Sequence, residues 1–263
     1  METKLFDFSR FDIKLETVVL GRDFVYLDET DSTNTYLLSE EGDDKPNGTV
    51  CFAEKQNKGR GRLERTWSSL KSNNLTFSIL INDSDFIAKY LNFINLGTSL
   101  AIAQALETLF QFTPELKWPN DVLVNGKKIS GILLESSSRG NSFNKLVVGI
   151  GVNVNQPVFH GEYNLTPTSV RLELGTLIDR ERLLAEILNN LEEVYSTFKD
   201  GTDYVLNQWR NRCKMIGEKV TVRDGDKELY GIFTEIDDNG YILLQTERDE
   251  FQTINFGDVS VHL

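Results

Sequence analysis

The stretch "KGRGRLERTW" (58–67) sets three guanidinium groups, Arg60, Arg62 and Arg65, on a glycine-rich segment just after Lys55 and Lys58. Cations this close repel one another unless something negative lies among them. The rest of the chain is acidic, with a formal net charge of −12, so the cluster is a local feature. Gly59 and Gly61 free the backbone to approach a ligand and to aim N–H groups at it. The forked donors of Arg60 and Arg62 suit carboxylate or phosphate. Alone, such a segment reads as a solvated surface loop, so its meaning depends on companions elsewhere in the chain.

Three companions stand out. "KWPND" (117–121) places a cation, a large aromatic, a rigid proline and the polar Asn120 and Asp121 between strands; its bland reading is a core Trp118 with a kink at Pro119. "KKISGILLE" (127–135) starts a hairpin strand with Lys128 three residues before Gly131, and an isolated hairpin lysine is usually just exposed. "GIGVNVN" (149–155) lacks the spacing of a dinucleotide-binding turn and ends a strand without a capped helix. Gly149 and Gly151 there read as places where another backbone or a ring passes close.

The elements that must position these residues follow from patterning. "FVYLDETDSTNTYLLSE" reads as strand, turn and helix, with Asp31 or Ser32 as the cap. "GTVCFAEKQ" is a strand running into the basic loop, and "NNLTFSILIN" a strand with apolar alternation. Helical spacing covers Tyr90 to Phe112, Asp179 to Phe198 and Asp203 to Arg212. Asn125-Gly126 marks a hairpin between two short strands. "KLVVGIGVNVN" is apolar enough for a central strand buried on both faces. After Cys213 the pattern turns to short strands broken by Asp-Gly-Asp and Asn-Gly, an SH3-like β module. The expected organisation is an α+β domain over 1–212, with a mixed or antiparallel sheet and flanking helices, and a small SH3-like β-barrel over 213–263.

Composition excludes several classes. The 263 residues are 40% hydrophobic and 26% charged, enough for a sizeable core. The two cysteines, Cys51 and Cys213, and the two histidines, His160 and His262, make no zinc-ligand or triad spacing. No metal site is expected. The acidic balance argues against DNA or RNA as partner. No apolar run of membrane-spanning length and no signal peptide is read here, which with the sparse cysteines points to the cytoplasm.

Taken together, DSTN (31–34), AEKQNKGRGRLERTW (53–67), KWPNDVLVNGKKISGILLE (117–135) and GIGVNVN (149–155) resemble the biotin protein ligases in order and spacing. The small β tail resembles that family's C-terminal domain. The residues before Phe24 are too few for a helix-turn-helix domain, so the likeness is to the short, ligase-only form without the DNA-binding domain of repressor-type members. The resemblance implies the biotin/lipoate ligase type of catalytic domain, ATP with Mg²⁺, biotin as substrate, and a biotin carboxyl carrier domain as acceptor. A homodimer is left open. It assigns biotin binding to Ser32, Thr33, Asn34, Gln56, Arg60, Gly61, Arg62 and Lys128, and pocket lining to Trp67, Asn120, Gly131 and Asn153.

The chemistry explains why such residues are needed. Biotin has a ureido head with two N–H donors and a carbonyl, an apolar body and a carboxylate tail. Ser32, Thr33 and Gln56 can donate and accept at the head. Joining the carboxylate to the α-phosphate of ATP brings two anions together, so fixed positive charge matters more than a base. On this reading the loop's missing partner is the substrate. Arg62 and Arg60 serve the carboxylate and phosphate, Arg65 the departing pyrophosphate, and Lys128 the bridging oxygens. Asp121 is the candidate to orient or deprotonate the acceptor lysine, a structural role in the hairpin standing beside it. The alternatives are a lipoate or octanoate ligase of the same fold, and a non-catalytic biotin-binding module.

Overall fold

The computed structural model describes residues 4–63, 65–139, 142–224, 227–255 and 257–261. Seven strands form the larger sheet: β1 (Phe24–Leu27), β2 (Val50–Ala53), β3 (Leu75–Ile81), β4 (Glu115–Lys117), β5 (Asp121–Val124), β6 (Lys127–Arg139) and β7 (Ser142–Val152). Their order is β1-β2-β3-β7-β6-β5-β4. Only the β1–β2 pair is parallel; every other neighbouring pair is antiparallel. The sheet is therefore mixed, as the patterning led one to expect, and β7 is its middle strand. At the β5–β6 turn Asn125 and Gly126 both take positive φ, 53° and 72°, which a two-residue hairpin of this hand requires. The strand that follows runs on to Arg139, so it is long where the sequence suggested a short one.

Helices divide the two faces. α3 (Ser84–Phe110) and α5 (Arg180–Thr197) cover one face, with α1 (Phe8–Asp12) against α5 and α6 (Asp203–Arg212) against α3. The α5 stripe Leu183, Leu184, Ile187, Leu188, Leu191, Val194 and Tyr195 is buried, the one-sided apolar pattern of a core helix. α3 begins earlier than its apolar periodicity suggests, because the Asp83 carboxylate caps it by accepting from Phe86 N–H at 2.9 Å. This corrects one expectation. α3 is the one described helix long and apolar enough to cross a membrane, with 67% of that stretch buried inside the fold; it is the helix around which the core packs. The short α2 (Thr33–Leu38) lies on the other face with Leu37 against Cys51, Leu80 and Val147, and α4 (Val170–Leu174) follows β7.

The second sheet is antiparallel and five-stranded: β8 (Lys219–Asp224), β9 (Lys227–Ile236), β10 (Ile242–Thr246), β11 (Phe251–Ile254) and β12 (Asp258–Val261), in the order β11-β10-β9-β8-β12. Among the described residues no ladder joins β11 to β12. Its apolar side does not form a separate core. Val220, Val222, Phe233 and Ile242 belong to the same buried cluster as Ile94, Leu100 and Trp118. Trp118 Nε1–H donates to Gly240 O at 3.3 Å and Arg210 to Ile236 O at 3.1 Å, tying the second sheet to the β4–β5 turn and to α6.

Candidate active site

Strand pairing shows which side chains share a face. Lys117 is paired with Asp121, Asp121 with Gly131, Gly131 with Gly151, and Gly151 with Thr76. Paired residues point the same way, so these five form one row across the sheet, on the face carrying α2. The next row contains Leu133, Gly149 and Ser78. The middle of this face is floored by glycine, and the space above is used. A Cβ on Gly149 would stand within 3.0 Å of three atoms of the Asn34 amide, and one on Gly151 within 3.0 Å of three atoms of the Trp67 indole. Above the row, the half-buried Trp67 ring has Lys128 Nζ 6.0 Å from its centroid, and its buried Nε1 has no hydrogen-bond partner among the described residues.

Lys128 reaches this face through an irregularity. It is three residues from Gly131, and strict alternation would send the two to opposite sides. The β5–β6 register shifts between Val122 and Leu123, so Lys128 pairs with Leu123 while Ser130 pairs with Val122. The extra residue, Ile129, is fully buried in the core. This bulge turns Lys128 onto the site face, where Nζ lies 2.6 Å from Asp121 Oδ1. Outside the bulge, the backbone of Lys128 is held by Thr166 O and Thr168 N–H, both at 2.9 Å.

The arginine loop is a tight hairpin. Arg60 bridges to Thr66, Gly61 N–H donates to Arg65 O at 2.6 Å, and Trp67 N–H to Gly59 O at 3.0 Å. Leu63 near its tip sits at φ 52°; Glu64 lies outside the described residues. The N–H of Gly61, expected to face a ligand, is thus spent on the hairpin itself, as a backbone donor needs a partner. The cations divide into two groups. Arg62 and Arg65 meet Asp258 of β12, Arg62 at 3.7 Å, and Arg62 also donates to Gly257 O at 3.2 Å. Burial pushes the Arg62 guanidinium below its ordinary value, with Asp258 and Asp121 opposing the shift. Burial likewise lowers Lys117, which feels Asp121, Asp258, Lys128 and Arg65. Four cations therefore gather around two carboxylates. Arg60 turns elsewhere, to Glu135 at 2.9 Å and Thr35 Oγ1 at 2.9 Å. The negative partner sought for the loop is, in this structure, the protein's own carboxylates.

The start of α2 forms the other wall. Ser32 caps the helix, and Ser32, Thr33 and Asn34 are buried. Gln56 Oε1 accepts from Thr33 N–H at 2.7 Å and Thr33 Oγ1 at 3.0 Å. Thr33 Oγ1 lies 2.6 Å from Ser78 Oγ, which donates to Asn34 Oδ1 at 2.5 Å. Asn34 Nδ2 donates to Leu133 O at 3.2 Å and Glu135 Oε2 at 2.7 Å. The wall offers both donors and acceptors, held by one another.

Residues 26–153 match the Biotin/lipoate A/B protein ligase family and residues 215–261 the Biotin protein ligase C terminal domain. The Biotin--[acetyl-CoA-carboxylase] ligase of Paracoccus denitrificans is 34% identical, covering 83% of this chain and 92% of its own length. The chain belongs to the biotin protein ligase family. The Bifunctional ligase/repressor BirA of Bacillus spizizenii is 32% identical over 91% of this chain and 74% of that protein. The biotin protein ligase of Aquifex aeolicus, solved in complex with biotin and ATP, superposes with a TM-score of 0.78 at 31% identity, covering 92% of this chain and 99% of that one.

Of the residues singled out by motif, Thr33, Asn34, Gln56, Trp67, Asp121, Lys128 and Gly131 line the glycine-floored face. Asn120 locks to β6, its Nδ2 donating to Ile132 O at 2.6 Å and its carbonyl accepting from Ile132 N–H at 3.0 Å. Asn153 is buried just beyond the end of β7, its N–H on Ile129 O. Sequence reasoning left out Lys117, Ser78, Thr35, Glu135 and Asp258. Lys117 and Glu135 lay inside quoted motifs; period-2 spacing from Gly131 would have placed Glu135 on the site face, and hairpin pairing with Asp121 places Lys117 there. Nothing local could have pointed to Asp258.

Proposed function

We propose that the chain is an ATP-dependent biotin–protein ligase. An oxygen of biotin's carboxylate attacks the α-phosphorus of ATP, the bond to the β-phosphate breaks, and pyrophosphate leaves. A lysine ε-amine of a biotin carboxyl carrier domain then attacks the acyl carbon, AMP departs with the bonding pair, and the amine loses its proton. The observation that carries this reading is the convergence of Lys117, Lys128, Arg62 and Arg65 beside the glycine-floored face. A site with this excess of positive charge suits two anions that must meet.

Within it Lys128 stabilises the oxygens shared by carboxylate and α-phosphate, Arg62 the carboxylate and phosphate, and Arg65 the pyrophosphate. For the last two, Asp258 must give way to substrate. Gln56, Ser32, Thr33 and Asn34 take the ureido head, Trp67 and the backbone of Gly61 and Gly131 wall the apolar body, and Asn120 and Asn153 hold the strands beneath the adenylate. Asp121 orients the incoming amine. The polar α2 wall favours a ureido head over the apolar acid of a lipoate ligase. Among the described residues no group of three or more His, Cys, Asp or Glu side chains is placed to hold a metal ion, so Mg²⁺ comes with the phosphates of ATP. The catalytic unit spans 1–212 and the β module 213–263. The two free, buried cysteines suit a reducing cytoplasm. The test is incubation with ATP, biotin and a carrier domain. Biotin-dependent pyrophosphate release and a carrier heavier by one biotinyl group are expected; release with lipoate but not biotin would overturn the assignment.

A further inference from the structure

Glu135 stands at the join between two parts of the site that are distant in sequence. Its carboxylate accepts from Arg60 Nη2 with both oxygens, at 3.0 and 2.9 Å, and from Asn34 Nδ2 at 2.7 Å. Arg60 completes its fork on Thr35 Oγ1, in the first turn of α2. Asn34 is held from the opposite side by Ser78, and Gly149 leaves it just enough room. One chain of hydrogen bonds thus runs from Gln56 through Thr33, Ser78, Asn34 and Glu135 to Arg60, and so back to the loop.

This arrangement changes the role of Arg60. A guanidinium with both oxygens of a carboxylate on Nη2 is already neutralised, whereas Arg62 and Arg65 both meet the same carboxylate, Asp258. The Arg60–Glu135 pair is also half exposed, with side-chain exposures of 42% and 29%, so it contributes little to fold stability. Its effect is to fix geometry: Arg60 pins the hairpin against α2, and Asn34 is oriented by Oε2, one of the same two oxygens.

We propose that Glu135 is a positioning residue for biotin adenylation, latching the arginine loop through Arg60 to the Asn34 wall that receives the ureido head. The inference rests on the biotin-ligase reading. Arg60 acts here as a strut, and the anions fall to Arg62, Arg65 and Lys128.

The test is pyrophosphate release without carrier, titrating biotin and ATP separately in the wild type, Glu135→Ala, Glu135→Gln, Arg60→Ala and the Arg60→Ala/Glu135→Ala double variant. Wild-type release that depends on biotin establishes the underlying reading first; its absence would remove that reading and this inference together. Given it, Glu135→Ala should raise the KM for biotin about tenfold or more, the loss expected from one charged hydrogen bond. The KM for ATP should change by about twofold at most, and the melting temperature hardly at all, as befits a half-exposed pair. Glu135→Gln keeps an acceptor for Asn34 but loses the charge facing Arg60, and should fall between. The double variant should lose no more than the worse single, since coupled residues are not additive. An unchanged biotin KM in Glu135→Ala, equal losses for biotin and ATP, or additive losses in the double variant would each overturn the proposal. If the alanine variant fails to fold, Glu135→Gln with Arg60→Ala carries the same cycle.

Discussion

Gly151→Ala is the sharpest probe of the glycine floor. The added methyl would stand 2.8 Å from Trp67 Nε1 and closer still to two ring carbons, whereas ordinary contact begins at 3.4 Å. Strand β7 is the middle of the sheet and cannot retreat, so the indole must rise by about 1 Å. Trp67 is only half buried and belongs to the loop, which can follow it. The stability cost therefore falls at the low end of the ~1–3 kcal/mol typical of overpacking, a fall in Tm of a few degrees. The functional cost is larger, because a wall displaced by about 1 Å can cost roughly 10²-fold in rate. The assay is biotin-dependent pyrophosphate release, with thermal unfolding beside it. A loss of about 10²-fold in kcat/KM for biotin with a nearly native Tm is expected. Unchanged kinetics would show that the ring does not wall the biotin pocket.

Lys128→Ala should abolish adenylate formation while leaving the circular dichroism spectrum and melting curve nearly native; normal release of pyrophosphate would refute its role. Asp121→Asn should slow transfer to the carrier more than adenylation, measured by adding carrier to preformed biotinyl-AMP, and equal loss in both steps would count against the assignment. Burial pushes the Cys51 thiol up to about 12 and Cys213 to about 11. Unfolded thiols ionise near their ordinary value of 9.0, so the stability difference is fully present below that pH and lost as pH rises through the folded values. Urea unfolding should therefore show a flat free energy up to about pH 8.5 and a decline above it; a flat curve to pH 11 would refute the burial argument.

Local features were legible in the chain. Ser32 as helix cap, the apolar stripe of α5 and the Asn125-Gly126 turn each follow from a few adjacent residues. The start of α3 was legible too, in Asp83 ahead of Ser84, but the apolar spacing drew attention further along. What depends on distant partners was not legible. The Ile129 bulge exists because β5 and Thr166–Thr168 both hold Lys128, which no window of the strand reveals. The same holds for the carboxylates. Glu135 and Asp258 look like ordinary acidic surface residues until the sheet brings one to Arg60 and the second sheet brings the other to Arg65. The opening expectation named only an outside anion for the loop; the structure adds the protein's own carboxylates, because an acidic chain folds its own anions onto its cations.

An alternating strand is a two-sided tape, and one added residue advances its phase by half a period. Upstream of Ile129 that shift delivers an ammonium to the glycine-floored side; downstream, Ile132 and Leu134 still pack into the core. Straightening the strand with every residue kept would exchange the two faces: Ile129 would lie over the glycine floor and the lysine would turn into the core. The lysine's place on that side is thus a matter of parity, set by a single step in the backbone.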